Sequence, residues 1–138
     1  MRKGVLPVLL LAVVLVLGSL AYSRAASQKK PSGISGVKAV LVQNCAVAGC
    51  HRANMTDMPA ANLNLDRGRF PASVLDVPSA QLLDYKLVDT KNPEKSYLLM
   101  KIKGDPGIQG SRMPVNRTPL NAKQIQEVED WINSLKSR

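Results

Sequence analysis

Aromatic residues are scarce in this sequence. Its 138 residues include one Trp, one Phe and three Tyr. That is thin material for a core in a chain short enough that burial is already marginal. There is one histidine, His51, and there are two cysteines, Cys45 and Cys50. At most one disulfide can form. A metal site made from Cys and His alone would have three ligands where structural zinc wants four. No cysteine lies near residue 25, which excludes a lipid-modified amino terminus at a cut there. No basic run is longer than Lys29-Lys30, and there is no internal repeat or low-complexity tract. The scattered Lys and Arg are therefore read as solvated surface rather than a nucleic-acid footprint. The length is one domain's worth, which excludes a two-domain chain.

Long hydrophobic runs are absent except at the start. Residues 5–22, Val5 to Tyr22, carry no charge and follow Arg2 and Lys3, and the small-residue site is Ser23-Arg24-Ala25 or Ser19-Leu20-Ala21. A basic n-region, an apolar h-region and a small-residue site form an export signal, expected over 1–25. The alternative is an uncleaved anchor, because the run nearly reaches the roughly 18–20 residues of a spanning helix. Either way the protein is expected outside the cytoplasm, in the periplasm, touching the membrane only through that segment. A cytosolic enzyme and a multi-span membrane protein are excluded. Of the 19 basic residues, Arg2, Lys3 and Arg24 precede a cut after Ala25, leaving 16 against 10 acidic. That surplus favours an acidic partner or an anionic surface.

Beyond the signal, residues 26–35 form a flexible lead, and a domain is expected over 36–138. Val37, Val40 and Leu41 mark a short helix with Ser35 as candidate N-cap. Asn54 to Val77, with Pro59, Gly68 and Pro71, is mostly irregular, and Asp66-Arg67-Gly68 is a turn signal. Ser79 to Tyr85 is expected to make one or two helical turns. Asn92-Pro93-Glu94 is a helix start, with Asn as cap and Pro at the first helical position. Tyr97, Leu98, Met100 or Lys101 and Ile102 follow at helical spacing, and Gly104 and Pro106 stop the helix. Asp105 to Pro119 is loop. Asn121 and Gln124 make a capping-box pair. Ile125, Val128, Trp131 or Ile132, and Leu135 then mark one apolar stripe, giving a helix over 121–135. No segment alternates, so the domain is mainly α.

The segment Cys45-Ala46-Val47-Ala48-Gly49-Cys50-His51 carries the chemistry. Two thiols in one short segment followed at once by His is the arrangement of c-type haem attachment. Each thiol adds across one vinyl of the porphyrin to give a thioether. The two vinyls lie on the same side, so one segment must supply both thiols. His51 is then held beneath the iron as proximal ligand. The spacer here is four residues rather than the usual two, and Ala46, Ala48 and Gly49 are small enough to loop outward. Two other readings stay open: a Cys45–Cys50 disulfide in an oxidising compartment with His51 incidental, and zinc with an incomplete ligand set.

With one histidine, bis-His ligation is impossible. A thioether is the natural second ligand, because it favours reduced iron and raises the potential. The candidates are Met55, Met58, Met100 and Met113. Met100 lies in an expected amphipathic helix and reads as core. Met55 and Met58 follow His51 too closely for the chain to wrap round a haem. Met113 lies in the Gly- and Pro-rich loop, stiffened by Pro114, and is the expected ligand.

These features resemble class I c-type cytochromes, and most closely the cytochrome domains of planctomycete-type proteins. The resemblance rests on the helix running into Cys45…Cys50-His51, on Asn62-Leu63-Asn64-Leu65-Asp66 and on Asn92-Pro93-Glu94-Lys95-Ser96-Tyr97-Leu98-Leu99. Arg112-Met113-Pro114 and Trp131-Ile132 complete it, so that it covers Val37 to Leu135. It implies a mainly α, cytochrome c-like fold of about three to five short helices around one covalent haem c, with long Gly/Pro loops and crossed terminal helices. It implies one-electron transfer rather than catalysis, since iron with both axial positions filled has no open site. Redox partners with acidic docking surfaces are expected, and no oligomer is indicated. The haem would be the missing apolar mass of the core, with Leu98, Leu99, Ile102, Phe70 and Leu120 as candidate lining. Tyr97 and Trp131 are expected to pack rather than to bond a propionate. The alternatives are a haem sensor or enzyme with an open sixth position, and a disulfide-stapled binding module without haem.

Overall fold

The computed structural model describes residues 33–54 and 58–136. Over these residues the chain is mainly α, with three α-helices, two short 3-10 turns and only isolated β-bridges. The expected signal or anchor segment, most of the lead and Met55 lie outside the described residues. No helix among the described residues is long and apolar enough to cross a membrane.

Helix α1, Ile34–Asn44, buries Val37, Val40 and Leu41 at the i, i+3, i+4 spacing of one helical face. It begins after Gly33, two residues earlier than a Ser35 cap would set, so Ser35 lies inside the helix and does not cap it. No side chain caps α1. Eleven residues are too few to be helical alone in water, and packing supplies the stability.

Helix α2, Tyr97–Lys103, is preceded by a 3-10 turn at Pro93–Lys95. Asn92 therefore starts the 3-10 turn, and the α-helix proper begins after Ser96. The Ser96 hydroxyl does not cap α2, because it accepts the Asp89 N–H at 3.0 Å. The orphan N–H groups at the start of α2 are satisfied from outside the helix. Tyr97 donates to the Lys86 carbonyl at 2.9 Å and Leu98 to the Leu87 carbonyl at 3.0 Å. Gly104, at φ +77, ends the helix in the left-handed conformation that suits glycine, and its N–H returns to the Met100 carbonyl.

Helix α3, Ala122–Leu135, has the capping box its sequence announces. Asn121 Oδ1 accepts the Gln124 N–H at 2.9 Å, and Gln124 Oε1 accepts the Asn121 N–H at 3.0 Å. Val128, Trp131 and Ile132 are buried along its stripe. Both α1 and α2 pack on α3. At Gly36 the first contact is close, since a Cβ there would run into the Glu127 carboxylate. The Trp131 ring packs on Phe70 with centroids 5.2 Å apart, which is the packing role expected for it. Lys103 and Glu129 pair at 2.9 Å between α2 and α3.

The stretch between the motif and α2 is held by backbone pairing rather than by helix. Residues 74–79 run beside 85–88, with Asp76 N–H to Val88 O at 2.8 Å, Leu87 N–H to Val77 O at 2.8 Å and Ser79 N–H to Tyr85 O at 2.8 Å. Helical turns expected over Ser79 to Tyr85 do not form. The Ser79 hydroxyl accepts the N–H groups of Gln81 and Leu82, each at 3.2 Å, and turns the chain instead. Val74 and Val88 are fully buried there.

Candidate functional site

The segment from Cys45 to His51 follows directly from the end of α1. The Cys45 N–H still donates to the Leu41 carbonyl at 2.8 Å, and the chain then leaves the helix in a run of turns. Cys50 N–H closes on Val47 O at 3.0 Å. The Cys45 carbonyl accepts two N–H groups, Val47 at 2.9 Å and His51 at 3.1 Å. The four-residue spacer thus bulges while its two ends stay tied. Gly49 takes φ +75 at the bulge, with nothing near where a Cβ would stand. The exposed Ala48 and Gly49 let the longer spacer loop outward, whereas Ala46 is buried in the core rather than in the outward loop.

A second segment clamps the motif. Ala60 N–H donates to Cys50 O and Leu65 N–H to His51 O, both at 2.8 Å. His51 Nδ1 lies 3.1 Å from the Ala60 carbonyl oxygen. A carbonyl only accepts, so Nδ1 carries the hydrogen and the lone pair resides on Nε2, the form in which imidazole binds a metal. Burial lowers the His51 pKa below the ordinary histidine value, against the pull of the backbone hydrogen bonds, with Lys101 adding to the lowering. The imidazole is therefore neutral at neutral pH.

Cys45 is buried, Cys50 is half-buried, and both are free thiols. Burial, reinforced by Cys50 and opposed by Arg117, pushes the Cys45 thiol up to about 11. It is an S–H group at neutral pH rather than a reactive thiolate.

These three side chains open on one cavity of about 250 Å³. Leu41 and Asn44 of α1, Ala60, Ala61, Leu63 and Leu65 of the clamp, and Leu87 beside α2 contribute to its wall. Helix α2 supplies Tyr97, Leu98, Lys101 and Ile102, and the Gly- and Pro-rich loop supplies Met113, Pro114 and Val115. The lining is mostly apolar and brings together two thiols, one imidazole and one thioether. Met58, by contrast, is 80% exposed, and neither it nor Met100 lines the cavity. Among the described residues no group of three or more His, Cys, Asp or Glu forms a metal cluster.

Of the apolar residues expected to line such a cavity, Leu98 and Ile102 do so. Phe70, Leu99 and Leu120 instead join the general core. Phe70 packs on Trp131 of α3 there. Tyr97 is 2% exposed. Its hydroxyl is engaged within the protein, accepting the Gln109 N–H at 3.0 Å and donating to Gln81 Oε1 at 3.2 Å.

Four contributors, Leu63, Leu65, the Ala60 carbonyl and Lys101, were not expected at the site from the sequence. Leu63 and Leu65, within the Asn-Leu-Asn-Leu-Asp stretch, alternate with polar residues, an i, i+2 pattern that marks one inward face of an extended segment. The Ala60 carbonyl has no sequence signal at all. Lys101 does have one, being a lysine three residues after Leu98 and next to Ile102 on an apolar helix face. It is 7% exposed, and burial lowers its pKa below the ordinary lysine value. Comparison of the chain with protein-family models, with curated proteins and with solved structures gives no match.

Proposed function

We propose that this protein is a monohaem c-type cytochrome that transfers electrons outside the cytoplasm. The observation that carries the reading is that Cys45, Cys50, His51 and Met113 line one mostly apolar cavity. The donor set fits haem c in kind: two thiols from one short segment, an imidazole with its lone pair on Nε2, and a thioether from a distant loop. Cys45 and Cys50 would hold the porphyrin covalently, each S–H adding across a vinyl so that sulfur bonds one carbon and hydrogen the other. His51 and Met113 would hold the iron. Bound there, the haem would supply one-electron exchange between ferric and ferrous iron.

The chain's own residues do the rest. The Ala60 carbonyl orients the His51 ring and fixes its tautomer. Leu41, Leu65, Leu98 and Ile102 exclude water and lower the local dielectric. With His51 and Met113 both holding the iron, the site would carry electrons and leave no place for a substrate to bind. The cytochrome c-like arrangement is supported by α1 and α3 packing closely at Gly36 and by α1 delivering Cys45 at its end. The basic surplus of the chain suits redox partners with acidic docking surfaces, with rates that fall as salt rises.

Covalent haem survives unfolding. A haem stain on a denaturing gel should therefore mark the matured wild-type protein, and Cys50→Ser should abolish the stain or reduce it to a weakened single attachment. Equal staining of Cys50→Ser and wild type would overturn the assignment of Cys50. Met113→Ala should keep the stain and lower the reduction potential.

A further inference from the structure

Lysine is almost never buried without a partner. Lys101 is buried on the cavity wall, and its partners are not carboxylates. Its Nζ donates to the carbonyl of Gln109 at 2.8 Å and to that of Ser111 at 2.9 Å. These two carbonyls flank Gly110, whose φ of +72 is the left-handed conformation glycine allows, and both converge on one ammonium. The backbone carbonyl of the same lysine accepts the Met113 N–H at 2.8 Å. One residue of α2 thus holds the Gly- and Pro-rich loop at three points, the last of them Met113 itself. Tyr97, one turn earlier, takes the Gln109 N–H.

We propose that Lys101 is a positioning residue for the Met113 ligand, its buried ammonium fixing the 109–113 loop at the cavity and its charge favouring the reduced iron. This inference rests on the haem reading above. A flexible loop would have to be ordered each time its thioether bound the metal. Here hydrogen bonds to α2 do that ordering within the polypeptide itself. A cation on the wall of an apolar cavity also disfavours the more positive ferric state, because the low dielectric leaves charges weakly screened. Loop order and charge therefore act in the same direction on the potential.

The test uses the haem-loaded full chain. Wild type should show the Met–iron charge-transfer band near the red edge of the spectrum, and Met113→Ala should lose it. Lys101→Met should then weaken or abolish the band, lower the potential, and speed amide exchange at Met113 by roughly ten- to a hundredfold, the equilibrium equivalent of lost charged hydrogen bonds. Exchange at Val128 and Ile132 in α3 should stay unchanged, which reports that the fold is intact. Lys101→Gln retains a donor without the charge, and should keep the band while lowering the potential. A wild type without haem, or with a band that survives Met113→Ala, refutes the haem reading and this inference with it. A Met113-dependent band that Lys101→Met leaves unchanged, along with the potential and the exchange rate, refutes this inference alone. So does a Lys101→Gln potential equal to wild type.

Discussion

Replacing Tyr97 with Phe isolates the tie between α2 and the loop that carries Met113. The ring is 2% exposed and lies 6.1 Å from the Tyr85 ring, and Phe keeps that packing. Only the hydroxyl goes. With it go the bond accepted from the Gln109 N–H at 3.0 Å and the bond donated to Gln81 Oε1 at 3.2 Å. Each neutral hydrogen bond contributes about 0.5–1.5 kcal/mol net, so the pair contributes about 1–3 kcal/mol. Gln109 is exposed and Gln81 half-buried, so water can take over part of both bonds. The expected loss is therefore in the lower half of the range, about 1–2 kcal/mol. Urea unfolding reads it as a lower midpoint at unchanged slope. With a slope of about 2 kcal/mol per M, the middle of the usual range, the midpoint should fall by about 0.5–1 M. A shift under about 0.2 M would mean that the hydroxyl contributes nothing to holding the loop, and would refute the reasoning.

Two further predictions concern other parts of the chain. Asn121→Ala removes one arm of the capping box and leaves the Gln124 N–H without its cap, so it should cost about 0.5–2 kcal/mol by the same urea assay, and Asn121→Ser should recover most of it. In the haem-free, reduced chain, alkylation of Cys45 followed by peptide mapping should climb about tenfold per pH unit well beyond the ordinary thiol range, because burial raises its pKa and leaves it protonated at pH 8. A profile that levels off near pH 8.5–9, the ordinary thiol range, would show that the Cys45 side chain is not buried.

Local signals were legible in the sequence where local chemistry decides the structure. Asn121 and Gln124 announce the start of α3, and Val128, Trp131 and Ile132 announce its buried stripe, because a capping box and a 3.6-residue period are settled within one segment. Asn92-Pro93 marked a helical start correctly in kind but not in extent, since the backbone of Lys86 and Leu87 fixes where α2 begins. Those carbonyls lie only six and five residues before Asn92, but they reach α2 through a turn of the chain that the Asn-Pro signal does not encode. Ser35 and Ser79 failed for a related reason. Serine suits a cap, a turn or a helix interior, and the surrounding packing selects which.

The site divides the same way. Cys45, Cys50 and His51 were legible because they stand together in one short segment. That Met113 lines their cavity while Met58 and Met100 do not is a matter of tertiary placement. The supporting groups were silent. A backbone carbonyl such as that of Ala60 has no residue signature. The Tyr97 hydroxyl and the Lys101 ammonium find acceptors only once the 109–113 loop has closed on α2.

The central claim is a porphyrin joined through two sulfurs to this polypeptide, and intact-mass spectrometry of the matured protein under denaturing, reducing conditions tests it most directly. The matured chain should be heavier by one haem, with neither Cys45 nor Cys50 open to alkylation. A chain of unmodified mass whose two cysteines both alkylate after reduction would contradict it.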